Sequence, residues 1–183
     1  MTRIEFIQPY SFNLHIGDEY NRAIAKCDDD AWICITDHDT LKPPGFAERV
    51  RDVVLVHGTD DRLFGAMTNR MGRENPAVIP AMYNNENISD HLRAANQIWS
   101  KIRTDITPTD VVCGYCMVFK KSLWEKLGGF RSRSVVFDKE LSAVADCYLM
   151  RGVYIVHLYR WGKTNPELTT GHLTRAGSLK ATK

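Results

Sequence analysis

Two aspartates, Asp37 and Asp39, stand either side of His38 at the end of an apolar run in DDDAWICITDHDT, residues 28–40. Two carboxylates held close together are costly unless a cation, or the ligand of one, lies between their charges. Residues 31–36 have the composition of a strand, on which alternate side chains share a face. Asp37 and Asp39 are therefore expected to point one way and His38 the other. A divalent cation of the Mg²⁺ or Mn²⁺ kind is what such a pair could hold. A D-x-D alone recurs by chance, its ordinary reading is a strand ending in a polar turn, and its surroundings have to decide.

His157 is a second candidate, in the apolar run VYIVHLY, where a lone histidine is commonly a satisfied core residue. Arg160 and Lys163 follow it, two cations suited to phosphate oxygens beside an imidazole suited to Mn²⁺. Asp138 and Glu140 open a segment with helical spacing. A carboxylate there could take a proton from a hydroxyl as general base, or could simply be an acid at a helix start.

The elements that must position these residues can be read from periodicity. A short strand over 3–8 ends at Pro9-Tyr10, and Ile16, Tyr20, Ile24 and Cys27 share one helix face after the turn. The strand over 31–36 follows. Strand, helix and strand in that order describe a parallel crossover, which places both strand ends on one edge. A helix over 46–53, a strand over 63–68 and a second short strand over 78–81 are expected next. Ile88, Leu92, Ala95, Ile98, Trp99 and Ile102 then trace a long helix capped by Asn87 or Ser89. Residues 110–120 read as a strand containing Gly114, 123–127 as a short helix stopped by Gly128-Gly129, and 130–137 as a loop. Leu141, Val144, Ala145, Tyr148 and Leu149 predict a helix from Asp138 closed by Gly152, with a last strand over 153–158.

With these elements in order, residues 16–157 resemble the GT-A class of glycosyltransferases, the family-2-like enzymes that move a sugar from a nucleotide diphosphate to an acceptor. IGDEYNRAIAKCDDDAWICITDHDT is similar to that family's helix with a central asparagine, turn, hydrophobic strand and D-x-D. GYCMVFKKSLWEKLGGF resembles its glycine-containing strand, short helix and Gly-Gly-Phe ending, and DKELSAVADCYLMRGVYIVHLYR its acidic segment, helix and closing strand with a histidine. The resemblance implies an α/β fold, a three-layer α/β/α sandwich around a mostly parallel, Rossmann-like sheet. It implies Mn²⁺ or Mg²⁺ on Asp39 and His157, with Asp37 on the ribose or donor sugar, and Asp138 or Glu140 as the base. It also matches Asn21 to the family's helix asparagine and Gly114 to the glycine beside the acceptor. Pro9, Tyr10, Ser11 and Asn13, at the first strand's end, would face base and ribose, with Tyr10 able to stack.

Two departures stand out. The family has adjacent acids where this chain has Asp138-Lys139-Glu140, and it has further strand–helix units before the D-x-D where this chain has one helix. The pocket for the nucleotide base is thereby abbreviated, and UDP is expected from family frequency alone. The expected activity is transfer from a UDP-sugar to an acceptor hydroxyl that the sequence does not specify. The alternatives are a nucleotidyltransferase or nucleotide-sugar hydrolase, and a non-catalytic nucleotide-binding protein.

The 183 residues fit one domain, expected over 1–165, with a polar tail over 166–183. A net charge of +2 without a basic block gives nucleic acid no electrostatic footprint. Five cysteines cannot all pair and two lie in apolar runs, so a reducing, cytoplasmic setting is expected, with Cys113-Gly-Tyr-Cys116 read as structural. No run approaches the ~20 apolar residues that span a bilayer.

Overall fold

The computed structural model describes residues 3–11, 15–72, 74–159 and 161–162; Asn13, Arg160, Lys163 and the 166–183 tail lie outside the described residues. Strand β1 (Ile4–Ile7) leads into helix α1 (Ile16–Ile24), and β2 (Trp32–Thr36) returns parallel to β1, Ile4 opposite Trp32 and Ile7 opposite Ile35. The expected crossover is therefore present. Tyr20 and Ile24 anchor α1 on the sheet, both fully buried, as their four-residue spacing requires.

A tight turn after β2 gives β3 (Thr40–Leu41), too short to be seen by periodicity. Gly45, at φ 78°, then starts α2 (Phe46–His57), which continues past residue 53 because Val53 and Val54 are both buried. β4 (Arg62–Thr68) follows. The strand expected over 78–81 is reduced to one bridge, Val78 with Thr68, and a 3-10 turn at Pro80–Met82. Asn87 caps α3 (Ile88–Ile102), its side-chain oxygen accepting from the Ser89 N–H at 2.9 Å. β5 (Ile106–Pro108), β6 (Cys116–Lys120), α4 (Lys121–Leu127), α5 (Phe137–Ser142) and β7 (Asp146–His157) complete the order.

Three expectations are corrected. The helix expected from Asp138 to Gly152 is only α5, and residues 146–157 are one long strand. Gly152 does not close a helix: it lies where the pairing of β4 with β7 slips between Ala66 and Met67, and a Cβ on it would sit 1.8 Å from the Arg103 carbonyl oxygen. This is a glycine demanded by a bulge and a close backbone approach. The strand expected over 110–120 begins only at Cys116, with Gly114 in the turn before it. Finally, the fold is α/β, but its seven-stranded sheet is mixed and not mostly parallel. In order β1-β2-β6-β4-β7-β3, with β5 also on β7, only β1–β2 and β4–β7 pair in parallel.

The antiparallel partners do not disturb one arrangement on which the site depends. β2 and β4 both run opposite to β6, and β7 runs with β4, so β1, β2, β4 and β7 share one direction. Their carboxyl ends, at Ile7, Thr36, Thr68 and His157, lie on one edge. Helices cover the sheet on both faces. Ile33 and Ile35 of β2 pack with α1, α4 and α5, while Trp32 and Cys34 pack with α2, as alternation requires. All five cysteines are free, and among the described residues no helix is long and apolar enough to cross a membrane.

Candidate functional site

The carboxyl edge gathers the chemistry. Asp37 directly follows β2, and Thr40 closes the next turn by donating its N–H (3.3 Å) and hydroxyl (2.6 Å) to the Asp37 carbonyl. The Gln8 amide reaches the same oxygen from the end of β1 at 2.7 Å. That turn lays β3 along the end of β7, Thr40 opposite His157, and the Leu158 N–H donates to the Asp39 carbonyl at 2.8 Å. Asp39 Oδ2 thereby comes to 3.4 Å from His157 Nε2, and one donor atom each from Asp37, Asp39 and His157 lie within 4.8 Å of one another. The acids converge through a turn and not through strand alternation, since β2 ends at Thr36. His38, at the tip of the turn, is exposed.

His157 is fixed from several sides. Its backbone N–H donates to Asn69 Oδ1 at 2.7 Å, and its ring Nδ1 lies 3.1 Å from the Arg70 carbonyl oxygen. A carbonyl only accepts, so Nδ1 carries a proton, and Nε2 is the ring atom turned towards Asp39. The ring stacks on Tyr115 at 5.3 Å and 22°, with Tyr159 at 5.6 Å on a tilt. Tyr115 is itself held by its hydroxyl, which donates to the Ala66 carbonyl.

An imidazole nitrogen and a carboxylate oxygen this close are joined by a proton or by a cation between them. Burial, and then the neighbouring Asp39 charge, push Asp37 up to about 6, although His157, His38 and the Tyr20 hydroxyl at 3.4 Å pull it down. Burial raises Asp39 too, but the hydrogen bond and charge of His157 outweigh it and hold that carboxyl below its usual value. Two carboxylate oxygens and an imidazole nitrogen form a donor set of the type that takes Mn²⁺ or Mg²⁺, so these three residues could hold a divalent cation.

The other candidates separate. Asp138 starts α5, its Oδ2 accepting the Gly114 N–H at 3.3 Å and its Oδ1 the Lys139 N–H at 2.9 Å. It neighbours the acids through the chain: the residue after Gly114 is Tyr115, whose carbonyl takes the Asp37 N–H at 3.2 Å. Glu140 points elsewhere. It accepts from the Arg131 N–H (3.0 Å), the Arg131 guanidinium (2.8 Å) and the Ser134 hydroxyl (2.6 Å), and so clasps the loop before α5. Burial would raise its carboxyl, yet the Ser134 and Arg131 hydrogen bonds hold it below the usual range, which makes it a poor proton acceptor.

Asn21 likewise acts as a clasp. Its amide N–H donates to the Phe130 carbonyl at 2.7 Å, while its oxygen accepts from Trp124 Nε1 and the Phe130 N–H, both at 2.9 Å. Gly114 is required by packing, since a Cβ there would lie 2.9 Å from the Phe137 ring. Pro9 and Tyr10 follow β1 on the site's edge, with Tyr10 64% exposed.

Beside this edge, Phe6, Gln8, Thr36, Lys42 and Phe46 line a cleft of about 410 Å³, with Lys42 Nζ donating to Gln8 Oε1 at 3.1 Å. Gln8, Thr40, Asn69 and Tyr115 had no sequence signal, because each acts through a contact distant in the chain. Tyr20 reads in the sequence only as core, from its place on the apolar face of α1. Compared with known proteins, the chain matches no family model, and no curated protein matches it.

Proposed function

We propose that the protein is a divalent-metal-dependent glycosyltransferase of the GT-A, three-layer kind, moving a sugar from a nucleoside diphosphate, with UDP as the expected nucleotide, to an acceptor hydroxyl. The observation that carries the reading is the 3.4 Å approach of Asp39 to Nε2 of a histidine whose Nδ1 is taken by a backbone carbonyl, with Asp37 alongside. Asp39 and His157 would hold the cation with Asp37 beside them. When bound, the ion would supply the positive charge that a departing diphosphate needs.

The remaining work falls to the chain's own residues. Asp138 is the base: as the acceptor oxygen bonds to the sugar's anomeric carbon and the bond to the diphosphate breaks, its carboxylate takes the hydroxyl proton. The Gly114 N–H steadies that carboxylate. The cleft of about 410 Å³ is within the ~300–1,000 Å³ range of small-ligand sites and adjoins Gln8 and Thr36 on the same edge. It gives a nucleoside room beside the acids, with Tyr10 as a stacking surface.

A non-catalytic nucleotide-binding role draws on one observation: with Glu140 fully engaged, proton removal rests on Asp138 alone. Sugar release from UDP-hexoses with Mn²⁺, with and without acceptors, separates the two roles. Transfer supports the enzyme, whereas tight UDP binding without turnover supports the binding protein. Calorimetry on Asp39→Ala tests the shared premise. Mn²⁺-dependent UDP binding should disappear, and unchanged binding would sink both.

A further inference from the structure

We infer that Asn69 is a positioning residue for His157, an inference that rests on the reading of His157 as a metal ligand. The residues after β4 grip the end of β7 at two points. Asn69 Oδ1 takes the His157 backbone N–H at 2.7 Å, and the next carbonyl in the chain, that of Arg70, takes ring Nδ1 at 3.1 Å. The first contact sets where the residue sits on the strand, and the second sets which ring nitrogen carries the proton. Partners of this kind fix the orientation and basicity of a metal-binding imidazole.

Asn69 bears a burden that structure alone does not require. It is completely buried, and among the described residues its Nδ2 has no hydrogen-bond partner, although buried amide donors nearly always have one. Flipping the amide offers no relief, because it would turn Nδ2 towards the His157 N–H, donor against donor. The Thr68 hydroxyl also donates to Oδ1, at 3.3 Å. The orphaned donor is thus tolerated in order to place an acceptor at His157. Arg70 is anchored independently: its Nε donates to the Tyr83 carbonyl at 2.9 Å and its guanidinium pairs with Glu86 at 3.3 Å. The carbonyl facing the ring is therefore held from beyond the site.

Mn²⁺ alone is the probe, its binding read by calorimetry and by electron paramagnetic resonance, together with the ¹⁵N shifts of the His157 ring in metal-free protein. Asn69→Leu releases the His157 backbone from its place beside the Arg70 carbonyl, and should weaken Mn²⁺ binding by about 10–100-fold and lower the share of Nδ1–H below that of the wild type. Asn69→Asp, which keeps the acceptor oxygen, should restore the wild-type tautomer and Mn²⁺ binding. If Asn69→Leu does not fold, Asn69→Ser, which withdraws the acceptor and fits the space, reads the same two quantities. Wild-type affinity and tautomer in the folded variant overturn the inference, whatever its melting temperature. His157→Ala keeps the two ideas apart. If it binds Mn²⁺ as the wild type does, the metal reading falls and takes the inference with it. If it loses Mn²⁺ while the Asn69 variants keep it, only the inference falls.

Discussion

Two acids of the same segment, Asp138 and Glu140, illustrate how neighbours decide what a carboxylate does. Glu140 is ionised and fully bonded, so it contributes stability above the ordinary carboxylate range and loses that contribution as pH falls through its depressed value. Glu140→Gln should therefore destabilise the protein by about 1–2 kcal/mol at neutral pH, the upper figure being tempered by the exposure of Arg131. Because the unfolded chain binds the proton more readily, the gap between variant and wild type should close in acid. Urea titrations at several pH values measure it, and a gap that widens in acid would contradict the assignment. The same variant should retain transfer, while Asp138→Asn should lose it with UDP binding spared; single-turnover assays compare them. Tyr20 acts more gently. Its hydroxyl meets Asp37 Oδ1 at 3.4 Å, a long bond, so Tyr20→Phe should cost less than about 1 kcal/mol in stability and lower Mn²⁺ affinity only a few-fold, by calorimetry.

At the level of the elements, Gly152 discriminates between the fold and the helix expected from periodicity. At a helix end, Gly→Ala costs on the order of 1 kcal/mol or less. Here the added carbon would meet the Arg103 carbonyl at 1.8 Å, and the backbone itself must shift, so a loss of about 3 kcal/mol or more is expected from denaturant unfolding of Gly152→Ala. The elements at the front of the chain were legible because α1 keeps one clean helical period and the apolar runs of β1 and β2 are short and bounded by turn residues. β7 was not. Cys147, Leu149 and Met150 are all buried, so a strand with apolar residues on both faces matches three- and four-residue spacing as readily as two. The slip at Ala66/Met67 then breaks its alternation midway. β3 and β5, with two and three residues, are too short to carry any period. Within the site, the acids and the histidine were visible by residue type, whereas Asn69, Gln8 and Tyr115 were invisible because only folding makes them neighbours. Glu140 and Asn21 show the opposite: polar residues in suggestive positions whose side chains are engaged in tying segments together.

For the whole molecule, a ligand that binds only the folded state must stabilise it. Mn²⁺ at one hundred times its dissociation constant should add about 2.7 kcal/mol, which for a chain of this length is a rise in melting temperature of roughly 5–10 °C. Chelation should reverse the rise and Asp39→Ala abolish it in thermal scans; an equal rise in that variant would place the ion elsewhere. The sheet gives this coupling its reach, because the edge that holds Asp37, Asp39, Asn69 and His157 is made from strands separated by most of the sequence. During synthesis the two acids leave the ribosome long before the imidazole does, and the acids alone form only half a cage. An ion on the proposed site could therefore be gripped in its finished geometry only once β7 has emerged and slotted between β4 and β3.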